Sequence, residues 1–166
     1  MLEALMRRKA IGDETSPYRF WRIRVDAQNT SVAVILAEVA LRDAAGAVIT
    51  AGYDANATAS GYYSSDYYPR FAFDGIIPTA YGPGKNWQVN HAPPNWIQIE
   101  IPVARAVTSY SIYTPNDQVF RDYSFNSWTL LGSNDGVNWI TVDAQTGYTV
   151  AKWATATEHV FTITKK

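Results

Sequence analysis

Six aromatic residues stand in stretches that the sequence predicts to be loops, and their types suit a binding site. Four are the tyrosines of the segment Tyr62-Tyr63-Ser64-Ser65-Asp66-Tyr67-Tyr68, and the others are Tyr81 and Trp87. An exposed ring offers a flat apolar face for stacking, and polar side chains beside it orient a ligand. Tyrosine-rich loops also form protein interfaces, so the partner of these loops can be either a small ligand or another protein. The polar candidates nearby in sequence are Asn86, His91, Asn116 and Arg121.

Two of these candidates have competing interpretations. Trp87 follows Gly82-Pro83-Gly84, which predicts a loop position and makes it the preferred stacking residue, with a lid over the core as the equal alternative. His91 precedes Ala92-Pro93-Pro94, a context typical of a solvated loop histidine. The predicted ligand-binding residues are Tyr62, Tyr63, Tyr67, Trp87, His91, Asn116 and Arg121.

Catalysis finds little support in the sequence. The chain has two histidines, no cysteine, and no nucleophile-elbow, zinc-protease or phosphate-loop motif. Its aspartates at 66, 74, 117 and 122 stand in predicted turns, where capping explains an aspartate. We therefore predict a protein that is not an enzyme.

Composition excludes several other classes. With 14 basic and 15 acidic residues, the chain offers no long-range attraction to nucleic acid or to anionic membranes. The absence of cysteine excludes disulfides and thiolate metal sites. No run of eighteen apolar residues occurs, and the N-terminus is too charged for a secretory signal, so the sequence predicts a soluble chain without membrane insertion or Sec export.

The element pattern predicts a single all-β domain behind a short helix. Leu2, Leu5 and Met6 recur at helical spacing, which predicts a helix over residues 2–11, with residues 1–16 as helix and linker and 17–166 as the domain. Alternation predicts strands over 19–27, 96–101, 106–113, 128–131, 139–142 and 159–163. Residues 32–42 contain no proline or glycine and could form a helix by composition, but the β-branched run at 32–35 favours one buried strand over this stretch. About eight strands indicate an antiparallel β-sandwich of the jelly-roll type. The alternating contexts of Trp96, Trp128 and Trp139 indicate core packing.

A specific turn joins two of these strands. In Ser133-Asn134-Asp135-Gly136, the asparagine and aspartate side chains can bond their own backbone, and Gly136 accepts a positive φ. The sequence therefore predicts that the chain reverses here and pairs its two flanks.

These segments resemble the discoidin or coagulation-factor 5/8 type C domain, within the galactose-binding-like β-sandwiches. The resemblance rests on Ala72-Phe73-Asp74-Gly75, on the strand Asn95 to Glu100 and on Ser133 to Trp139, which occur in the order and spacing of the family. It implies a noncatalytic module in which loops at one end of the sandwich bind a carbohydrate. The spacing around Thr114-Pro115-Asn116-Asp117 departs from that of the sugar-binding members.

The order of the strands looks circularly permuted relative to that family. The aromatic-arginine strand beginning at Tyr18 and the strand Leu36-Ala37-Glu38-Val39 come first here, whereas in the family they close the domain. A sandwich with neighbouring termini tolerates this rearrangement. A second resemblance, to small bacteriophage virion proteins with a leucine-rich N-terminal helix, implies a virion location, oligomers and other virion proteins as partners.

The resemblance also implies one structural calcium ion. Carried over by position, its ligands are the side chains of Asp74, Thr79 and Glu38 and the backbone carbonyls of Phe71 and Ile76. Calcium takes six to eight oxygens in flexible geometry, and a buried carboxylate needs a cation, so the set is chemically sensible. The alternative is that Asp74 merely caps its turn while Glu38 points to solvent or meets Arg70.

Two functional hypotheses follow. The first is a noncatalytic module that binds a glycan or another surface, as a component of a phage particle. The second is a structural assembly subunit whose tyrosine-rich loops and N-terminal helix dock neighbouring proteins and bind no sugar.

Overall fold

A computed structural model of the protein describes residues 16–78, 80–115, 117–154 and 158–164. The predicted helix over residues 2–11 lies outside the described residues. In the described ranges the strands are β1 Tyr18–Gln28, β2 Val34–Leu36, β3 Glu38–Arg42, β4 Ala57–Ala59, β5 Trp87–Val89, β6 Asn95–Arg105, β7 Ser109–Tyr113, β8 Phe125–Ser133, β9 Ile140–Gln145 and β10 Glu158–Thr162. The helical elements are α1 Gln118–Arg121, α2 Val150–Trp153 and 3₁₀ turns at Asp54–Asn56, Ser65–Tyr67 and Pro69–Ala72.

The strands form one large and two small antiparallel sheets. The five-stranded sheet has the order β4-β6-β1-β8-β9, the three-stranded sheet has the order β10-β7-β3, and β2 pairs with β5. All the strand pairs are antiparallel. The predicted antiparallel β-sandwich is confirmed. None of the described helices has the length and hydropathy needed to cross a bilayer.

Strand β1 is central because its residue pattern suits a half-buried strand. Trp21, Ile23 and Val25 are buried in the core, while Arg22 and Arg24 alternate with them on the outer face. The strand pairs with β6 on one side and with β8 on the other. The opening segment of the domain is therefore an interior strand of the main sheet, the place that the permuted order requires.

Aromatic side chains fill one part of the core. The Trp128 ring contacts those of Phe125, Tyr148, Trp153 and Phe161, with centroids 5.0 to 5.8 Å apart. The two indoles are hydrogen-bonded: Nε1 of Trp128 donates to the Tyr110 hydroxyl at 3.0 Å, and Nε1 of Trp153 donates to the Phe125 carbonyl at 2.6 Å. Burial of these large rings therefore leaves no indole N–H unpaired. The core position predicted for Trp128 is confirmed.

Three sequence predictions are wrong in detail. Residues 32–42 do not form one strand, because the chain leaves the β2–β5 pair at Ala37 and enters the three-stranded sheet as β3. Trp87 is fully buried in β5 instead of standing in a loop. Trp96 and Trp139 are only partly buried, because the strand alternation puts Trp96 on the outer face of β6 and Trp139 lies in the turn before β9.

The predicted turn between β8 and β9 is present and is organised by Asp135. Its Oδ1 accepts hydrogen bonds from the backbone N–H groups of Val137 and Asn138 at 2.9 and 2.7 Å, and its Oδ2 accepts one from Nδ2 of Asn138 at 2.7 Å. Gly136 has φ of 72°, which a residue with a side chain adopts only at a cost. Hydrogen bonds from Asn138 and Val137 hold the pKa of Asp135 well below its usual range.

The substitution Asp135→Ala is expected to lower the melting temperature at pH 7, since the three donors of Val137 and Asn138 and the Ser133 hydroxyl, which donates to Oδ1 at 3.0 Å, lose their acceptor. An aspartate whose pKa is depressed by folding stabilises the folded state above its unfolded pKa of about 3.9, and this contribution is lost as the pH falls toward the folded value. The difference in melting temperature between wild type and variant should therefore become smaller as the pH falls from 5 to 2, in thermal melts followed by circular dichroism. A constant difference over that range would contradict the role of the ionised carboxylate.

Candidate functional site

Aromatic rings from four separate segments form a continuous row, which we call the aromatic row. Tyr63 contacts Tyr67 at 5.7 Å between centroids, Tyr67 stacks on Tyr81 at 5.5 Å, and Tyr81 stacks on Phe120 at 3.8 Å. Phe120 in turn contacts Tyr123 at 6.1 Å. Residues distant in sequence are therefore assembled into one surface feature, whose members come from the loop after β4, a 3₁₀ turn, the loop before β5, and α1 with the turn that follows it.

The aromatic row lies at one end of the sandwich. The loop that carries Tyr63 is fixed by backbone bonds from Ser60 to Trp96, at the start of β6, and from Tyr63 to Gln88 in β5. Helix α1 directly precedes β8, whose first residue pairs with Gln28 at the end of β1. The hairpin turn between β8 and β9 lies at the opposite end, where Gly136 meets the ring of Phe20. The row and this hairpin are thus separated by the length of the main sheet.

The row is exposed at its tyrosine-rich edge. Tyr62 and Tyr63 are 48% and 59% exposed, and Tyr68 is 40% exposed and contacts Tyr62 with centroids 4.7 Å apart. Tyr67 is buried beneath them. The exposed rings can therefore meet a ligand, and the buried ring of Tyr67 supports that of Tyr63.

Polar groups anchor the interior of the row. The hydroxyl of Tyr81 donates to Oε1 of Gln88 at 2.6 Å, and Nε2 of Gln88 donates to Oδ1 of Asn90 at 2.6 Å. The Tyr81 hydroxyl is protonated at neutral pH and acts as the donor, and burial raises its pKa further. These two hydrogen bonds in series fix the orientation of the Tyr81 ring at the centre of the row.

The structure places the other predicted ligand residues as follows. His91 is exposed, and its imidazole lies against Gly61: a Cβ built on that glycine would lie 2.8 Å from Nε2 of His91. Gly61 is the residue that precedes Tyr62 in the sequence. Arg121 follows Phe120 in α1, and its Nε is buried with no hydrogen-bond partner in the described ranges. Trp87 cannot stack on a ligand because it is completely buried. Asn116 lies outside the described residues.

Phe120, Tyr123 and Gln88 belong to this region but were missed by the sequence analysis. A signal existed for the first two, since Gln118 to Tyr123 is an aromatic-containing segment between predicted strands, just as Tyr62 to Tyr68 is. No sequence signal identifies Gln88, because its role depends on the tertiary contact with Tyr81.

Glu38 is the main feature of the predicted calcium region. Its side chain is only 4% exposed, its Oε2 atom has no hydrogen-bond partner in the parts of the chain described, and its Oε1 accepts a 3.4 Å bond from the Gly75 N–H. Burial, and then the negative charge of Asp74, raise the pKa of Glu38 to about 8. The alternative in which Glu38 points to solvent is wrong, and the described residues show no ion pair between it and Arg70.

Asp74 caps its own turn and also faces Glu38. Its Oδ1 accepts a 2.9 Å hydrogen bond from the Ile76 N–H, and burial raises the pKa of Asp74. No group of three acidic or histidine side chains suited to a metal occurs among the residues that the structure describes. The predicted ligand set contains only two carboxylates, the remainder being the carbonyls of Phe71 and Ile76 and the hydroxyl of Thr79, which lies outside the described residues.

The residues present fit a hard cation. A buried carboxylate oxygen without a donor is costly, and the neighbouring carboxylates of Glu38 in β3 and Asp74 in its turn would gain from a positive charge between them. Carboxylate and carbonyl oxygens are the ligands that calcium takes in proteins.

The family model of the F5/8 type C domain matches residues 56–166, well over half of the 166-residue chain. No curated protein and no solved structure matches the chain. The match begins just before β4, so β1, β2 and β3 lie in the sandwich but outside the matched segment, as the permuted order predicts.

The members of this family are carbohydrate- or surface-binding modules and are generally noncatalytic. The antiparallel sandwich, the Asp74-Gly75 turn and the Ser133 to Gly136 turn of this chain agree with the match. The chain belongs to the F5/8 type C, or discoidin, domain family.

Proposed function

We propose that this domain is a noncatalytic module that binds a glycan at the aromatic row. The observation that carries the proposal is the exposure of Tyr62 and Tyr63 at the edge of rings that are stacked and anchored from below. A pyranose presents a face of C–H groups that packs on an aromatic ring, and the ring loses little entropy because it is held in advance. His91, which lies against Gly61, supplies a polar group next to the residue that precedes Tyr62.

The substitution Tyr63→Ala is expected to weaken glycan binding about tenfold, since an aromatic contact is worth about 1.4 kcal/mol in a case of this kind. The measurement is a glycan-array screen with the wild-type domain, followed by calorimetric titration of the best neutral ligand. Tyr63 is more than half exposed, so the substitution should leave the melting temperature nearly unchanged.

The matched control is Val137→Ala, which truncates a residue 77% exposed on the hairpin at the opposite end of the sheet. It is expected to bind like the wild type. Equal affinity of Tyr63→Ala and the wild type for every array ligand would contradict a site at the aromatic row. An absence of any glycan signal, together with oligomers in solution, would instead favour the assembly-subunit hypothesis.

We further propose that calcium binds between Glu38 and Asp74 as a structural ion. The support is the unpartnered buried oxygen of Glu38 and the second carboxylate beside it. The ion would supply positive charge to these carboxylates, while the carbonyls of Phe71 and Ile76 and the hydroxyl of Thr79 complete the proposed ligand set. The chain's own part is to hold the turn through the bond from Ile76 to Asp74.

The biological setting of the domain stays a prediction. A location in a phage particle, with other virion proteins as partners and an oligomeric state, follows only from the second resemblance. The experiment that bears on it is immunodetection of the protein in purified phage particles. Finding the protein only free in solution, and not in the particles, would contradict this setting.

A further inference from the structure

The outer face of the five-stranded sheet carries a cluster centred on Arg22. The guanidinium carbon of Arg22 lies 4.2 Å from the ring centroid of Trp96 and 3.9 Å from that of Trp139. Trp96 comes from β6, on one side of β1, and Trp139 from the turn before β9, on the β8 side, so the two indoles reach the cation from the two flanks of β1. Such stacking on tryptophan is favourable for an arginine and removes water from both faces of its plane.

One edge of this guanidinium is occupied and the other is free. Nε and Nη2 both donate to Oε1 of Gln98, at 2.9 and 2.6 Å, which takes up the side edge. Nη1 has no protein partner within the described ranges and is not among the buried unpaired atoms, so it is reachable from solvent. The end edge, formed by Nη1 and the second N–H of Nη2, is therefore available as a pair of parallel donors.

The charge of Arg22 is also uncompensated by a carboxylate. The other two arginines of β1 form ion pairs, Arg19 with Glu100 and Arg24 with Asp26. In the described part of the chain Arg22 has no such partner, and Gln98 contributes a neutral acceptor. A cation held flat between two rings, with a two-donor edge turned to solvent, is complementary to a planar carboxylate.

We propose that this face is a second binding site, in which the free edge of Arg22 receives the carboxylate of an acidic sugar and Trp96 and Trp139 flank the sugar ring. A sugar is favoured over an acidic peptide because the indoles offer apolar surface on both sides of the anion, while Nε2 of Gln98 is suited to donate to a hydroxyl. The site is separate from the aromatic row, since it lies on the sheet face and uses none of the same residues.

The test is a titration of the full chain with trigalacturonate, using its neutral counterpart, trigalactose, as the comparison ligand. In ¹H–¹⁵N correlation spectra, the indole N–H signals of Trp96 and Trp139 should shift with trigalacturonate and not with trigalactose. The substitution Arg22→Gln is expected to reduce the affinity about 10- to 100-fold, the usual cost of losing a two-donor bond to a charged group. Arg22→Lys, which keeps the charge but loses the planar fork, should cost about fivefold or more.

Two controls separate this site from the alternatives. Arg24→Gln removes the same charge from the same face, and it should reduce the affinity less than about threefold because Arg24 is already paired. Tyr63→Ala removes a ring of the aromatic row and should leave trigalacturonate binding unchanged. The two proposed sites can therefore be tested independently, and either proposal can fail without affecting the other. Melting temperatures of all variants establish that each is folded.

Three results would overturn the proposal. One is a wild-type protein whose Trp96 and Trp139 signals do not respond to trigalacturonate. Another is equal loss of affinity in Arg22→Gln and Arg24→Gln, which would indicate unspecific attraction to a positive face. The last is a stronger response of the same indole signals to a triglutamate peptide than to trigalacturonate, which would make an acidic protein segment the ligand.

Discussion

Replacing Gly132 with alanine is expected to destabilise the domain by about 3 kcal/mol, the upper end of the cost of over-packing a core. A Cβ at this position would lie 2.2 Å from Cδ2 of Tyr18, closer than two carbon atoms can approach. Tyr18 is buried against Trp21, whose Nε1 donates to the Tyr18 carbonyl, so the ring cannot move away without disturbing β1. For a domain of this size the melting temperature should fall by about 6 to 12 °C.

The matched control is Gly82→Ala, where an added Cβ meets only the Lys85 side chain, at 3.8 Å. Its stability should stay within about 0.5 kcal/mol of the wild type, because the added methyl group makes only ordinary van der Waals contact there. In a double variant that also carries Tyr18→Ala, the loss of stability should be much smaller than the sum of the losses in the two single variants. The reason is that the alanine at position 132 then has no Tyr18 ring to clash with. Equal melting temperatures for Gly132→Ala and the wild type would refute the close approach of Tyr18 to β8.

With the proposed calcium site, calcium at about one hundred times its dissociation constant is expected to stabilise the domain by about 2.7 kcal/mol, the shift produced by a ligand that binds only the folded state. This corresponds to a rise in melting temperature of about 5 to 10 °C for a domain of this length. Differential scanning calorimetry with added calcium, and again with excess chelator, measures the effect.

The substitution Glu38→Gln should abolish the calcium response. In chelator the variant should be at least as stable as the wild type, because a neutral amide avoids the cost of placing an ionisable carboxyl in this buried position beside Asp74. This separates loss of the ion from loss of the fold. Glu100→Gln is the control, since that carboxylate lies half-exposed on the outer face of β6 beside Arg19, and it should keep the full response. If calcium raises the melting temperature of Glu38→Gln as much as that of the wild type, Glu38 is not a ligand.

Much of the main sheet was predictable from alternation alone. The strand predicted for residues 19–27 is confirmed as β1, and the one predicted for 96–101 lies within β6, because each alternates buried apolar and outward polar residues over its length. The turn at Ser133 to Gly136 was predictable because its asparagine, aspartate and glycine have local backbone preferences that need no tertiary partner.

The short elements were harder to predict. Trp87 follows a Gly-Pro-Gly segment that indicates a loop, yet it belongs to a three-residue strand whose hydrogen bonds come from β2, more than fifty residues earlier. A strand of that length carries too few residues to show a period, so only its partner defines it. The same limit applies to the break at Ala37, where two short strands enter different sheets.

The partial exposure of Trp96 and Trp139 has a related cause. Alternation predicts that residues two apart share a face, but it does not state which face is covered. Trp96 alternates with Ile97, and it is the isoleucine that is buried in the core. The tryptophans could be placed on the outer face only once the three-stranded sheet was seen to cover the other one.

By itself, the sequence determined the all-β class, the order of the long strands, the main turn and membership of a recognisable family, because these depend on local periodicity and turn chemistry. Only the tertiary structure decided that Tyr63, Tyr67, Tyr81 and Phe120 form one row, that Glu38 is buried beside Asp74, and that Arg22 lies between two indoles. These contacts join residues tens of positions apart, and their geometry is fixed by how the strands pair and the loops pack.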